Sequence, residues 1–343
     1  MDIGELKQQL QNHFTDGLVT IVGSGLSAAE GISGMGGLKD HLVANVPKRV
    51  ARESLPMWTL ISQELAKGTD LESTLSKHPP DDALETIIVD ETSKLILAEE
   101  SKIISDVLNN NRCLRLSRLL KHMLKSSNGI PIITTNYDRL VEVAAETAGL
   151  GIDSLFVGHN VASFDPMGSR HSLCRSVERR GKSVVRTFCE HVVVLKPHGS
   201  LDWFQKGEDP VRCAFPLHGS RLIITPGLNK FRGGYNRPFD AHRERANQEI
   251  DKASRFLTLG YGFNDEHLQT HLETQLHRGL PTVLMSRSLS QKAEELVGTC
   301  KSIMAIVAHE SEDGAVVWQG GKSMFFPGPN LWDLGTFVTE VLE

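Results

Sequence analysis

Leu18-Val19-Thr20-Ile21-Val22-Gly23-Ser24-Gly25-Leu26-Ser27-Ala28-Ala29 runs from a short, β-branched segment through glycines into a helix start. A buried strand that ends in glycines before a helix offers backbone N–H groups to a diphosphate. Gly23 and Gly25 let the main chain approach closely, and Ser27 adds a hydroxyl. The third glycine of G-x-G-x-x-G is replaced by Ala28, an accepted variant. A tight strand-to-helix turn without any ligand needs the same glycines, so the loop alone leaves both readings open. No acidic residue closes a recognisable second strand about 20 residues later, which counts against an ordinary NAD dehydrogenase.

Further short apolar runs lie at Ile130–Thr134, Val192–Leu195, Leu222–Thr225, Phe256–Leu259, Thr282–Met285 and Ile303–Val307. Each is brief and rich in Val, Ile or Leu, as strands buried on both faces are. Helical patterns at Cys113–Lys125, Arg139–Thr147, Asp265–His277 and Gln291–Gly298 separate several of them. The alternation predicts an α/β fold, a doubly wound Rossmann-like parallel sheet with ligand groups at the carboxyl ends of its strands. Residues 46–112 carry no convincing strand and read as a helical insertion, broken near Pro56, Gly68 and Pro79-Pro80. Segments 151–190 and 203–220 read as loop-rich cover over the same crevice. The Rossmann-like core is then 15–45, 113–150 and 190–343 within one domain spanning 1–343.

The chain has 343 residues, 40% hydrophobic and 23% charged, a balance that supports a sizeable core. A net charge of −5 gives no global attraction to nucleic acid or anionic membrane. The polar start Met1–Phe14 lacks an apolar leader, and no run approaches the roughly 20 apolar residues of a membrane span, so a cytoplasmic location is expected. Cys113, Cys174, Cys189, Cys213 and Cys300 form no C-x-x-C pair, so neither a disulfide framework nor a zinc ribbon is expected, and no metal.

Three more segments end strands in polar groups. Ile132-Ile133-Thr134-Thr135-Asn136-Tyr137-Asp138 leads into a helix. His191-Val192-Val193-Val194-Leu195-Lys196-Pro197-His198-Gly199-Ser200 delivers a histidine at its carboxyl end. Phe256-Leu257-Thr258-Leu259-Gly260-Tyr261-Gly262-Phe263-Asn264-Asp265 ends in glycines. Singly, each has a plain structural role available: Asn136 and Asp138 as a helix cap, His198 as a satisfied loop histidine.

In order and together they resemble the sirtuin family. The glycine loop is similar to its G-A-G-x-S, Thr135–Asp138 to its Q-N-I-D, His198-Gly199 to its H-G, and Gly260-Tyr261-Gly262 to its G-T-S. The flanking residues are more similar to the bacterial sirtuin-like branch of antiphage defence. That branch carries T-T-N-Y-D, K-x-H-G-S-x-D-W and a G-Y-G/S-F-x-D segment, matched here by Thr134–Asp138, Lys196–Trp203 and Gly260–Asp265. Thr225-Pro226-Gly227 and Leu331-Trp332-Asp333 have the look of that branch too. Departures are as plain. The zinc-binding C-x-x-C pairs of deacylating sirtuins are absent, Gln is replaced by Thr135, and G-I-P-D-F-R by Gly31-Ile32-Ser33-Gly34-Met35-Gly36.

The resemblance implies an NAD+ hydrolase that releases nicotinamide and ADP-ribose, with NAD+ as substrate and no zinc. Asn136 and His198 would be catalytic, the first holding ribose and water, the second acting as base or orienting the ribose. Gly23, Ser24, Gly25, Ser27, Gly260, Gly262 and Asn264 would bind diphosphate and ribose; Thr135, Asp138 and Tyr261 complete the pocket. It further implies a homo-oligomer acting by NAD depletion in antiviral defence, governed by a separate chain such as a HerA-type ATPase. A deacylase or ADP-ribosyltransferase, or a non-catalytic NAD or ADP-ribose sensor, are the competing functions. His267 and His271 lack the H-E-x-x-H order and read as a solvent face. The basic stretch from Arg170 to Arg186 reads as a solvated loop, or as a local contact for nucleic acid or an acidic partner.

Overall fold

The computed structural model describes residues 2–343 except 125, 216, 218, 220 and 226–235, and the side chains of all but 266 and 267 among these. Lys125, Pro226-Gly227 and the His267 side chain therefore lie outside the described residues. In chain order the strands are β1 Leu18–Val22, β2 Ile130–Thr134, β3 Gly151–Asp153, β4 Phe156–Val157, β5 Val161–Phe164, β6 Cys174–Arg180, β7 Ser183–Phe188 and β8 His191–Leu195. There follow β9 Gly199–Lys206, β10 Asp209–Cys213, β11 Arg221–Ile223, β12 Arg255–Leu259, β13 Thr282–Met285, β14 Ile303–Ala308, β15 Gly314–Gln319 and β16 Lys322–Pro327.

The larger sheet is ordered β16-β15-β14-β13-β12-β1-β2-β8-β3. From β14 to β3 every pairing is parallel, and β15 and β16 add an antiparallel edge. β1 lies between β12 and β2, with all its residues buried. Alternation sends Leu18 and Val22 to one face, where they join Ile132, Val194 and Leu257 beneath Leu10, Leu119, Ala144 and Phe337. Val19 and Ile21 go to the other, with Ile133, Leu195 and Phe256 under Ile250, Leu268, Leu272 and Leu296. Burying each such side chain contributes about 1.5–3 kcal/mol, and both sheet faces collect that gain. A charged residue at Val194 would break it.

Between Met35 and Leu108 the chain is a series of helices joined by short turns. Helices Met35–Asn45, Leu55–Ala66, Leu71–Lys77 and Asp82–Leu108 share a core of Leu42, Trp58, Ile61, Leu65, Leu75, Leu84 and Ile88. Pro56 sits in the first turn of its helix, where no N–H is needed, so it starts the helix rather than breaking it. The long helix then leaves this layer, placing Ile96 and Ile103 in the sheet core. Its buried Glu100 accepts from the Arg139 guanidinium and backbone N–H, which fixes the helical layer beside the loop that follows β2.

Segments 151–190 and 203–220 differ from the loop-rich expectation. They contain β3–β7, β9 and β10, and β11-β9-β10-β5-β4 form a second, antiparallel sheet around Phe156, Trp203 and Phe239. Polar residues interrupt these strands, as Ser200 and Asp202 do in the buried part of β9, so they lack the continuous apolar run that marks a parallel strand. Leu222–Thr225 was expected among the parallel strands; its residues up to Ile223 instead pair with β9 in that second sheet. Most of the basic stretch becomes the two-stranded β6–β7 hairpin, and Arg170, in the helix Pro166–Ser172 before it, lies over the Phe188 ring.

Candidate active site

The loops after β1, β2, β8 and β12 emerge at the carboxyl ends of neighbouring parallel strands, and so they meet. A cavity of about 260 Å³ is lined by Gly23, Ser24, Ser27, Thr135, Asn136, Asp138, His198, Tyr261, Gly262 and Asn264. Those are all but two of the residues expected at the site. The helical layer closes it with Met35, Leu38, Glu72 and Ile96, and Asp265 joins from the β12 loop.

Hydrogen bonds tie the loops together. Asn136 Nδ2 donates to the Gly23 carbonyl at 2.9 Å and to Ser27 Oγ at 2.8 Å. Ser27 Oγ in turn donates to Asp138 Oδ2 at 2.7 Å, while Asp138 Oδ1 accepts from the Leu140 N–H at 3.1 Å. Asp138 is thus both a turn-stabilising residue and a link to the glycine loop. With its amide N–H groups engaged, Asn136 presents Oδ1 as its acceptor. His198 Nε2 lies 2.9 Å from Asp265 Oδ2, and both are largely buried. Against a carboxylate, Nε2 carries the proton, and the basic lone pair of a neutral ring is then on Nδ1. In the sequence Asp265 is only the last residue of the Gly260–Asp265 segment, and nothing in its spacing marks it as a partner of His198.

Behind the site, Lys196 is buried and donates from Nζ to the Asp138 carbonyl at 2.5 Å and to Glu142 Oε1 at 3.1 Å. Burial pushes the Glu142 carboxyl up, against the pull of the Lys196 charge. The Lys196 N–H donates to His242 Nδ1 at 3.2 Å, and burial lowers that histidine to about 3, aided by the Lys196 charge. His242 is therefore a neutral ring packed 4.5 Å from Trp203. Burial raises Tyr261 well above an ordinary phenol, so its hydroxyl stays a donor, and it has no hydrogen-bond partner among the described residues.

Gly25 and Gly260 stand apart. A Cβ on Gly25 would lie 2.7 Å from Gly260 Cα, one on Gly23 would lie 2.4 Å from the Gly260 carbonyl oxygen, and Gly260 has φ +57°. The Gly25 N–H donates to the Gly260 carbonyl and the Gly23 N–H to Leu259. Close packing of two loops demands these glycines; the Gly23 and Gly25 N–H groups are spent on it and the Gly260 N–H on the Met285 carbonyl, rather than offered to a diphosphate. Both Gly25 and Gly260 line a neighbouring cavity with Arg115, Ser286, Arg287, Ser288, Trp332 and Asp333. The sequence reading missed that cavity.

His271 pairs with Asp251 at 3.0 Å. No group of three or more His, Cys, Asp or Glu side chains among the described residues could hold a metal. Nor does any described helix have the length and apolarity to cross a membrane.

Residues 131–295 match the family model described as a SIR2-like domain. The match, a little under half of the chain, includes Asn136, His198 and the Gly260–Asp265 loop and leaves out the glycine loop and the helical layer. It supports a sirtuin-like family, whose enzymes act on NAD. Among solved structures the chain is similar to one titled for the structural basis of sirtuin substrate affinity, at 16% identity and TM-score 0.39, covering 86% of this chain and 91% of that one. It is similar to a Sir2 protein bound to a propionylated peptide, at 16% identity and TM-score 0.38, covering 86% and 90%. A Sir2 homolog–NAD complex is similar at 13% identity and TM-score 0.35, covering 87% of each chain. A comparison with curated proteins returns no match.

Proposed function

We propose that the protein is an NAD+ glycohydrolase that transfers the ribosyl carbon of NAD+ to water. The observation that carries this reading is the charge of the two cavities. Glu72, Asp138 and Asp265 line the first beside Asn136 and His198, without a Lys or Arg among its described lining residues. Arg115 and Arg287 line the second, and consecutive residues of both glycine loops face one or the other. A dinucleotide with a cationic nicotinamide at one end and phosphates towards the other matches that polarity. Cleavage builds positive charge on the ribose, which nearby carboxylates stabilise.

In this reading Asn136 Oδ1 accepts from a ribose hydroxyl and keeps the sugar in place. His198 takes a proton from the attacking water as its oxygen bonds to C1′, Asp265 steadies the imidazolium, and the C1′–N bond breaks to release neutral nicotinamide. The wider reading follows the sequence motifs: a homo-oligomeric effector of antiphage defence that depletes NAD and is governed by a HerA-type ATPase in trans.

The test is a time course of NAD+ with purified protein, with and without an acylated peptide. ADP-ribose and nicotinamide formed without peptide support the hydrolase. Product formed only with peptide would replace it by a deacylase or ADP-ribosyltransferase, and binding without cleavage by a sensor.

A further inference from the structure

β12, its glycine loop, the helix Glu266–His277 and β13 form a strand–helix–strand unit, and β13 is the parallel neighbour of β12, with Leu259 opposite Met285. The residues just after β13 therefore sit beside Gly260. They are Ser286-Arg287-Ser288, and all line the second cavity. In a unit of this kind the residue closing the second strand meets the adenosine ribose. An acidic side chain there binds the 2′-hydroxyl of NAD, whereas an arginine accommodates a 2′-phosphate.

Among the described lining residues of this cavity the one carboxylate is Asp333, and it is already engaged by protein donors. It accepts from Arg115 Nε at 2.9 Å and from the Thr336 N–H at 3.0 Å. Arg115 is also occupied, by Glu30 and the Ala29 carbonyl. Arg287 is exposed, and no described carboxylate holds it. Its backbone is set: the Arg287 carbonyl accepts from the Ala308 N–H at 3.1 Å, and the Ser286 N–H donates to Ile306 at 3.2 Å. Ser290 Oγ donates to the Gly262 carbonyl at 2.5 Å and ties this turn to the glycine loop. A guanidinium that no described carboxylate holds, flanked by two serine hydroxyls on a held backbone, is the donor set a phosphate dianion requires.

We propose that Ser286, Arg287 and Ser288 bind the 2′-phosphate of the adenosine ribose, so that NADP+ is preferred to NAD+. The inference rests on the reading of the protein as a dinucleotide glycohydrolase. The reacting bond is the same in both substrates: water oxygen joins C1′, the bond to nicotinamide nitrogen breaks, and a proton passes to solvent, here leaving 2′-phospho-ADP-ribose.

The test compares NADP+ with NAD+ in kcat/KM, and 2′-phospho-ADP-ribose with ADP-ribose in calorimetric binding, for the full chain and for Arg287→Ala. Preference for the 2′-phosphorylated member of each pair by about tenfold or more is expected, the worth of one charge-assisted hydrogen bond. Arg287→Ala should remove most of it by raising KM for NADP+ much more than for NAD+. Equal use of both dinucleotides, or parallel losses for both in the variant, would overturn the proposal. If neither is cleaved, the hydrolase reading fails; the 2′-phosphate site then stands or falls on the binding pair and its loss in Arg287→Ala.

Discussion

His198 Nε2 and Asp265 Oδ2 lie 2.9 Å apart, the histidine delivered by the end of β8 and the aspartate by the loop after β12. Two strands, β1 and β2, separate β8 from β12 in the sheet, so the pair spans the crevice mouth. A carboxylate in this position selects the ring tautomer and balances the charge the ring acquires. Asp265→Asn preserves shape but not charge. It should lower nicotinamide release by about 10²-fold or more while dinucleotide binding survives, and His198→Ala should lose about 10²–10⁴-fold. Parallel binding and product assays check both; unchanged release in either variant removes that residue from the mechanism.

Asn136→Ala removes the donor to Gly23 and Ser27 together with the ribose acceptor. Release should collapse, and the glycine loop should lose protection in hydrogen exchange. Asn136→Asp keeps Oδ1 but places a carboxylate against the Gly23 carbonyl, so it should not rescue.

The buried Lys196 pairs with the largely buried Glu142 beneath the site. Lys196→Met leaves Glu142 buried without its cation and should cost about 3–5 kcal/mol in chemical denaturation. Adding Glu142→Gln should recover much of that stability. Activity should not return with it, because the Asp138 carbonyl still lacks its donor.

Stability should fall in mild acid through histidines kept neutral by burial. Burial holds His242 at about 3 and His13 at about 4, whereas both take up protons near 6.5 in the unfolded chain. Because the folded values are depressed, the stabilisation is complete above pH 6.5 and drains away as the pH falls towards 3. His242 alone accounts for on the order of 3 kcal/mol between pH 7 and pH 4. Denaturation midpoints across that range, with and without His242→Gln, give the measurement, and the variant should flatten the acid limb.

Gly25→Ala places a Cβ, fixed to its own backbone, against Gly260 Cα. Neither partner can swing aside, so overpacking of about 1–3 kcal/mol is expected as a lowered melting temperature. The same shift should weaken dinucleotide binding, since both cavities border this contact. Gly262→Ala, whose Cβ would lie 3.4 Å from Asn264 Nδ2, should be far milder.

Local composition by itself determined the strands β1, β2 and β13, because a strand buried on both faces needs an unbroken apolar run. It also marked Asn136 and His198, since polar groups at the ends of such runs have few other reasons to follow them. The antiparallel second sheet was illegible for the converse reason: β5 buries only Ala162, and β10 sets Asp209 and Arg212 among its buried residues, so both read as loop. Which loops meet was decided by strand order. Sheet pairing puts β12 between β1 and β13, and only that placement brings Asp265 to His198, Gly25 against Gly260, and Arg287 beside both glycines. A sequence states each side chain's chemistry, but the distance between side chains far apart in the chain is set by hydrogen bonds and packing among strands that no local pattern encodes.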